Sequence, residues 1–320
     1  MAASSSNSNP PISSETQTRN WLDLPHDVMS TIFLKLGPIE IFNSVQLVCS
    51  LWRKICKDPL MWRKIDLNHL SDIHDMNYYD LEGMCRHAID RSCGQLVDIN
   101  LEYFGTDELL KYITDSTCNL RHLRLACCYS ISDEGLNGVA AKLPMLEEFD
   151  SSHCQLSKDS LEAIGRFCPH LKSFKFNSQV FRHLCVESDD EAFAIAETMP
   201  GLRHLQLIGN KLTNDGLLAI MDKCPHLESL DLRRCFNINL GGCLGKRCAE
   251  QIKHLRLPSD PTDDYPFQAE VEDDGYGSYD EDYPSGISDI DFLSEDDYDY
   301  YVFSGESENE FSDDVDFHSE

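Results

Sequence analysis

Cysteine and histidine are the residues of this 320-residue chain with the widest chemical range, and there are 14 and 12 of them. Thiols and imidazoles suggest either a metal site or a nucleophilic thiol. Their spacing argues against both. No Cys-x-x-Cys occurs, Cys127 and Cys128 are adjacent, and Cys243 and Cys248 are five apart, none of which is a familiar zinc spacing. His122, His204 and His254 share one position of a repeat, but in different copies. Strands lie about 4.8 Å apart, so imidazoles on separated strands cannot share one ion. Cys49 is a candidate nucleophile, yet it falls within an expected helix with no identifiable base, and a reactive thiol needs a depressed pKa and access. There is no Gly-x-Ser-x-Gly, P-loop, His-Glu-x-x-His or dinucleotide fingerprint. We therefore expect no catalytic residue, no metal and no cofactor. The cysteines are expected to be thiols in a reducing compartment, acting as small buried hydrophobes.

Charge narrows the partners. The net charge is -29, and the segment Ser259–Glu320 holds 23 Asp or Glu with no Lys or Arg. A polyanion repels phosphate backbones and anionic bilayers, so neither nucleic acid nor membrane is an expected partner. No basic segment followed by an apolar core opens the sequence, and no apolar run reaches the roughly 18–20 residues of a membrane helix. The nucleus, the cytoplasm or both are the expected locations.

A repeat dominates the middle of the chain. The pattern apolar-x-x-apolar-x-apolar begins at Leu96, Leu120, Leu146, Leu171, Leu202, Leu227 and Ile252, at intervals of 24, 26, 25, 31, 25 and 25 residues. Ser151 is the one polar lapse. Three residues beyond the last apolar position stand Cys128, Cys154, Asn210 and Cys235, whose side chains can satisfy backbone groups where the chain leaves a strand. Ile131-Ser-Asp-Glu-Gly-Leu136 is echoed by Leu212-Thr-Asn-Asp-Gly-Leu217 and by Leu156-Ser-Lys-Asp-Ser-Leu161. Ser132 and Thr213 are natural N-caps for helices over 133–142 and 215–223. Pro144, Pro169, Pro200 and Pro225 each return the chain to an extended form two residues before the next strand's leucine. Each unit is strand, turn, helix. One unit cannot bury its own apolar face, so the units must stack. The pattern resembles the cysteine-containing leucine-rich repeats over 81–258, in about seven copies. It weakens at Leu171, where Gln179 stands at the Asn/Cys site, and at Ile252.

Before the repeats lies a compact apolar block. Leu24, Val28, Ile32 and Leu36 fall at i, i+4, i+8 and i+12 of a helix opened by Pro25 and ended by Gly37-Pro38. A second helix from about Ile39 and a third from Val45 to Lys57 complete a bundle too small to bury a thick core by itself. Leu24-Pro25, Ile32, Val48-Cys49-Ser-Leu-Trp52-Arg53 and Asp58-Pro59-Leu-Met-Trp62 together resemble the F-box. With the cysteine-rich repeats, the chain resembles plant F-box/leucine-rich-repeat proteins. The expected fold class is therefore an α/β leucine-rich-repeat solenoid preceded by a small all-α F-box. The expected layout is a disordered 1–19, the F-box over 20–67, a connector over 68–80, repeats over 81–258 and a disordered acidic tail over 259–320.

The resemblance implies a substrate-recognition subunit of an SCF ubiquitin ligase, itself non-catalytic, bound to a Skp-type adaptor and through it to a cullin. It implies Leu24, Pro25, Ile32, Val48, Cys49 and Trp52 at or beside the adaptor interface. An adaptor-bound interaction module without a degradation role is the alternative. A target protein is expected on the concave face, where alternate strand residues point. There the candidates are His122, Arg124, Asp150, Lys175, His204, Gln206, Asp231, Arg233 and Arg256. In the tail, Ser288, Ser294 and Ser307 each precede an acid by three residues, as in acidophilic-kinase sites. The tail is expected either to engage a basic partner or to fold back on Arg233 and Arg256.

Overall fold

A computed structural model describes residues 21–67, 80–178 and 186–267, all within one compact unit. Residues 1–19, most of the 68–80 connector, Gln179 and the tail beyond residue 267, with its serines, lie outside the described residues.

The N-terminal block is helical but more broken than its periodicity predicts. Helix α1 runs His26–Leu36. A second stretch opens as α2 (Pro38–Glu40), passes through a π turn (Ile41–Val45) and closes as α3 (Gln46–Val48). The expected continuous helix over 45–57 is interrupted at Cys49, which is extended at φ -159°. Helix α4 (Ser50–Cys56) restarts there, with the Cys49 sulfur accepting from the Trp52 N–H at 3.5 Å. Cys49 is thus a cap between helices and not a residue inside one.

The solenoid begins earlier than residue 81. Strand β1 (Lys64–Asp66) belongs to the F-box segment, yet it pairs in parallel with β2 (Asp98–Glu102). The remaining strands are β3 (His122–Ala126), β4 (Glu148–Ser152), β5 (Ser173–Asn177), β6 (His204–Gln206), β7 (Ser229–Asp231) and β8 (His254–Arg256). All pair in parallel, in chain order. Seven helices alternate with them: α5 (Leu81–Arg91), α6 (Asp107–Ser116), α7 (Asp133–Ala140), α8 (Lys158–Phe167), α9 (Asp190–Thr198), α10 (Asn214–Lys223) and α11 (Gly242–Gln251). Buried leucines, isoleucines and phenylalanines from both layers form one core running from Met29 to Ile252, the F-box included.

Contacts between repeats explain the sequence echoes. Ser132 and Thr213 do cap α7 and α10, accepting from the N–H groups of Gly135 and Asp215. Each cap residue is held in turn by a carboxylate from the preceding repeat. Asp107 accepts from the Ser132 N–H and hydroxyl at 2.9 and 2.6 Å. Asp133 accepts from Ser157 at 2.9 and 2.7 Å, and Asp189 accepts from Thr213 at 2.7 Å through both groups. The small residue three positions past each cap makes room for that acid. A Cβ on Gly135 would lie 1.9 Å from an Asp107 oxygen, and one on Gly216 would lie 2.2 Å from an Asp189 oxygen. Ser160, in the third copy, instead donates its hydroxyl to Asp133.

The Asn/Cys site works as expected. The thiols of Cys128 and Cys235 donate to the carbonyls of Leu101 and Leu207 at 3.6 and 2.8 Å, and the Asn210 side chain accepts from the Leu212 N–H at 2.9 Å. Such donation needs a protonated thiol, and burial pushes Cys235 up to about 12. The strand exits are left-handed at Tyr103, Cys127, His153 and Arg234 (φ 72°, 52°, 57° and 63°). Each of these residues donates its N–H one rung further, for example Cys127 to the Ser152 carbonyl at 2.9 Å.

Candidate functional site

Two surfaces stand out, one on the F-box and one along the strands. On the F-box, the core is made by Met29, Phe33, Ile41, Val45, Ile55, Met61 and Trp62. The helix-α1 stripe picked out by its spacing is not the buried one. Leu24 and Ile32 are half-buried against the core, Pro25 is exposed, and Val28 and Leu36 are exposed. Leu47 and Val48 on α3 are 63% and 60% exposed, and Leu51 on α4 is exposed too. Among the described residues, eight of the seventeen exposed large hydrophobics lie within 21–67. Apolar exposure concentrated in so small a block exceeds ordinary scatter.

Trp52 is half-buried and wedged between two rings, 4.8 Å from Phe33 and 6.1 Å from Trp21. It supports α1 and α4 more than it presents a contact. Trp62 is the joint to the solenoid. It stacks on Phe42 at 5.0 Å and donates its indole N–H to the Cys56 carbonyl at 2.8 Å. The Arg91 guanidinium, from α5, lies 4.6 Å from the Phe42 ring and donates to Gln46 Oε1 at 2.9 Å. The F-box is therefore braced by the first repeat.

On the concave face, the expected residues separate into two regions. His122, Arg124, Asp150 and Lys175 come together with Lys64, Asp66, Asp98, Asn100 and Glu148 around a shallow depression of about 160 Å³. Its charges alternate from strand to strand. Lys64 lies 3.4 Å from Asp98, His122 Nδ1 lies 3.4 Å from the same carboxylate, and Asp150 lies 3.5 Å from Arg124 and 3.3 Å from Lys175. Such pairs in partial solvent contribute about 0–1 kcal/mol each, so they order the face more than they stabilise the fold.

Further along, Gln206 donates to Asp231 at 3.1 Å, and His204 is exposed. Arg233 departs from expectation. It is 3% exposed, with Nε and Nη2 on Asp231 at 3.0 and 2.7 Å. Its Nη1 donates to the Pro261 carbonyl at 3.0 Å and to Asp264. Arg256 donates to Asp264 at 2.8 Å. Arg233 is thus already engaged and offers nothing to a second chain in this arrangement.

Within the expected tail, Tyr265 and Phe267 are half-buried and make contacts with the strand side of the repeats. Tyr265 shares a hydrogen bond of 3.1 Å with His153 Nε2. Burial holds the His153 pKa below and the Tyr265 pKa above their ordinary values, so both are neutral near pH 7. The Phe267 ring lies 5.3 Å from His153 and 5.7 Å from the Arg124 guanidinium. Fold-back onto Arg233 and Arg256 is borne out for this stretch. His153, Tyr265 and Phe267 escaped the sequence reading.

His122, His204 and His254 stand on β3, β6 and β8, two or more strand steps apart. Among the described residues, no helix is by itself long and apolar enough to cross a membrane.

Comparison with known proteins agrees with this geometry. A family profile described as F-box-like matches residues 21–68, and one described as Leucine Rich repeat matches 117–140 and 200–221. The chain is 50% identical to the F-box protein SKIP19 of Arabidopsis thaliana over 298 residues, 93% of each chain. It is 52% identical to the putative F-box/LRR-repeat protein 23 of the same plant over 267 residues, 82% of this chain and 59% of that one. Among solved structures, the yeast Rad7 and Elc1 complex aligns at a TM-score of 0.42 and 22% identity. It covers 53% of this chain and 44% of that one, too partial a likeness to carry function.

Proposed function

This chain belongs to the F-box/leucine-rich-repeat proteins, and from that we propose that it is the substrate-recognition subunit of an SCF ubiquitin ligase. The F-box would dock a Skp-type adaptor, and through it a cullin, while the concave strand face receives a target protein. The observation that carries this reading is the exposure of the apolar side chains of Val28, Leu36, Leu47, Val48 and Leu51 on a block sharing its core with the solenoid. An adaptor gripping that block holds the solenoid in fixed orientation, because β1 is at once the end of the F-box and the first strand of the sheet. The chain contributes proximity and orientation: a target on the strands is kept near a charged conjugating enzyme, and transfer chemistry stays with the partners. Pro25, Val48 and half-buried Leu24 and Ile32 fit adaptor contact, whereas Trp52 and Cys49 hold the helices that present them.

A second reading is an adaptor-bound interaction module with no degradation role. The occupied late half of the concave face favours it, since less strand surface is left for a target. Reconstitution separates the two. Wild-type chain, Skp-type adaptor and cullin should co-elute as one complex. Adaptor binding without cullin recruitment would favour the second reading, and no adaptor binding by the wild type would sink both.

A further inference from the structure

We propose that the concave face from β3 to β8 is a recognition site for an extended acidic–aromatic peptide, a carboxylate followed by tyrosine and a second aromatic. Residues 261–267 occupy it as an internal ligand. This deepens the receptor reading by naming the chemistry of the target.

The site is built, residue by residue, for that sequence of groups. At the carboxylate position, buried Arg233 is oriented by Asp231 through Nε and Nη2. That leaves Nη1 to meet the incoming Asp264 and the Pro261 carbonyl, and Arg256 closes on the same acid at 2.8 Å. At the phenol position, the neutral His153 ring shares a hydrogen bond of 3.1 Å with Tyr265. At the last position, the Phe267 ring sits 5.3 Å from His153 and 5.7 Å from the Arg124 guanidinium, within the range of cation–π attraction. Two guanidinium groups at the acid, one imidazole at the phenol and a third guanidinium at the last ring thus read three residues of the segment Asp264-Tyr265-Pro266-Phe267. Reach is sufficient: the ten residues 258–267 that follow β8 span at most about 33 Å when extended, whereas the five strand steps from β8 back to β3 cover about 24 Å.

The occupant is suited to displacement. Its acid is 57% exposed at the side chain, so solvent screens its pairs with Arg233 and Arg256. Tethering, with an effective concentration on the order of millimolar, holds it in place. A segment in trans with the same order of groups meets the same three positions. In sequence the chain repeats the acid, tyrosine and second-aromatic order at Asp297-Tyr298-Asp299-Tyr300, and Asp282-Tyr283-Pro284 repeats its first three residues.

The test uses full-length protein and a fluorescein-labelled peptide copying residues 259–268, read by fluorescence anisotropy. The triple variant Asp264→Ala/Tyr265→Ala/Phe267→Ala should bind the peptide at least tenfold tighter than wild type. The single variant Tyr265→Phe, which keeps the ring and drops only the phenol, should bind about threefold tighter if one partly exposed hydrogen bond of about 0.6 kcal/mol is lost. Adding Arg256→Gln or Arg124→Gln to the triple variant should weaken binding at least fivefold, and a peptide with alanine for Tyr and Phe should bind at least tenfold more weakly. Equal peptide affinity for wild type and both strap variants overturns the proposal, as does equal binding of the alanine peptide. If the triple variant fails to fold, Tyr265→Phe alone decides. The assay contains no adaptor, so its failure leaves the F-box reading standing, and adaptor failure leaves this one standing.

Discussion

The F-box and the solenoid should unfold as one unit, and the chain carries its own reporters for testing this. All three tryptophans, Trp21, Trp52 and Trp62, lie in the F-box block, whereas helix and strand content lies mostly in the repeats. Tryptophan fluorescence therefore follows the F-box and far-ultraviolet circular dichroism follows the solenoid. A block of under 50 residues holds too thin a core to stand alone. Here it also lends β1 to the sheet and shares Trp62 with α5 through Arg91. In urea the two signals should move together. The Trp62→Ala variant removes a buried indole packed on Phe42, and such truncations cost about 3–5 kcal/mol. Trp62→Phe keeps most of the ring but orphans the Cys56 carbonyl, which then relies on the longer 3.5 Å contact from Arg91, at a cost of about 1–2 kcal/mol. With urea m-values of about 1–3 kcal/mol/M, Trp62→Ala should lower the midpoint by at least about 1 M in both signals. The reasoning fails if wild-type fluorescence moves well before circular dichroism. It fails equally if Trp62→Ala shifts fluorescence alone.

Two further predictions concern the caps between repeats. Gly135→Ala raises helix propensity by about 1 kcal/mol, yet its Cβ meets the Asp107 carboxylate. The thermal midpoint should therefore fall; a rise would show that Asp107 moves aside without cost. For Asp133, burial pushes the carboxyl pKa up, but hydrogen bonds from Ser157 and Ser160 outweigh it and hold the net value low. A depressed folded pKa contributes stability that is present above the unfolded value of about 3.9 and is lost as pH falls through the folded one. Asp133→Asn should accordingly lower stability by about 1–3 kcal/mol at pH 7 and lessen the acid loss below pH ~4. Parallel stability–pH curves for variant and wild type would rule this out.

The repeats were legible because period, cap and proline recur in one phase, and each strand appeared where its triplet of apolar residues stood. Strand β1 carries the same pattern as Trp62-x-x-Ile65-x-Leu67, but 34 residues separate it from Leu96, outside the repeat length, and this hid its phase. Val48 and Trp52 keep helical spacing across the break at Cys49, so periodicity does not show that Cys49 is extended and caps the next helix. The stripe Leu24, Val28, Ile32, Leu36 was read correctly as an apolar face. Periodicity could not say that Met29 and Phe33 face the core and that part of the stripe faces outward. Asp107 and Gly135 were each visible, but their pairing spans two repeats and needs the stacked geometry. The strap on the concave face joins Tyr265 to His153 across 112 residues, beyond any local signal. Its high acid content pointed toward disorder instead.

The most direct test of the account is the affinity of the whole chain for a Skp-type adaptor, wild type against Leu47→Asp/Val48→Asp. Both side chains are more than half exposed, so the thermal midpoint should not move. The account predicts tight binding by wild type and a loss of at least a hundredfold in the variant, about 2.7 kcal/mol, from placing two charges in an apolar interface. Equal adaptor affinity for the two proteins, with both folded, would contradict it.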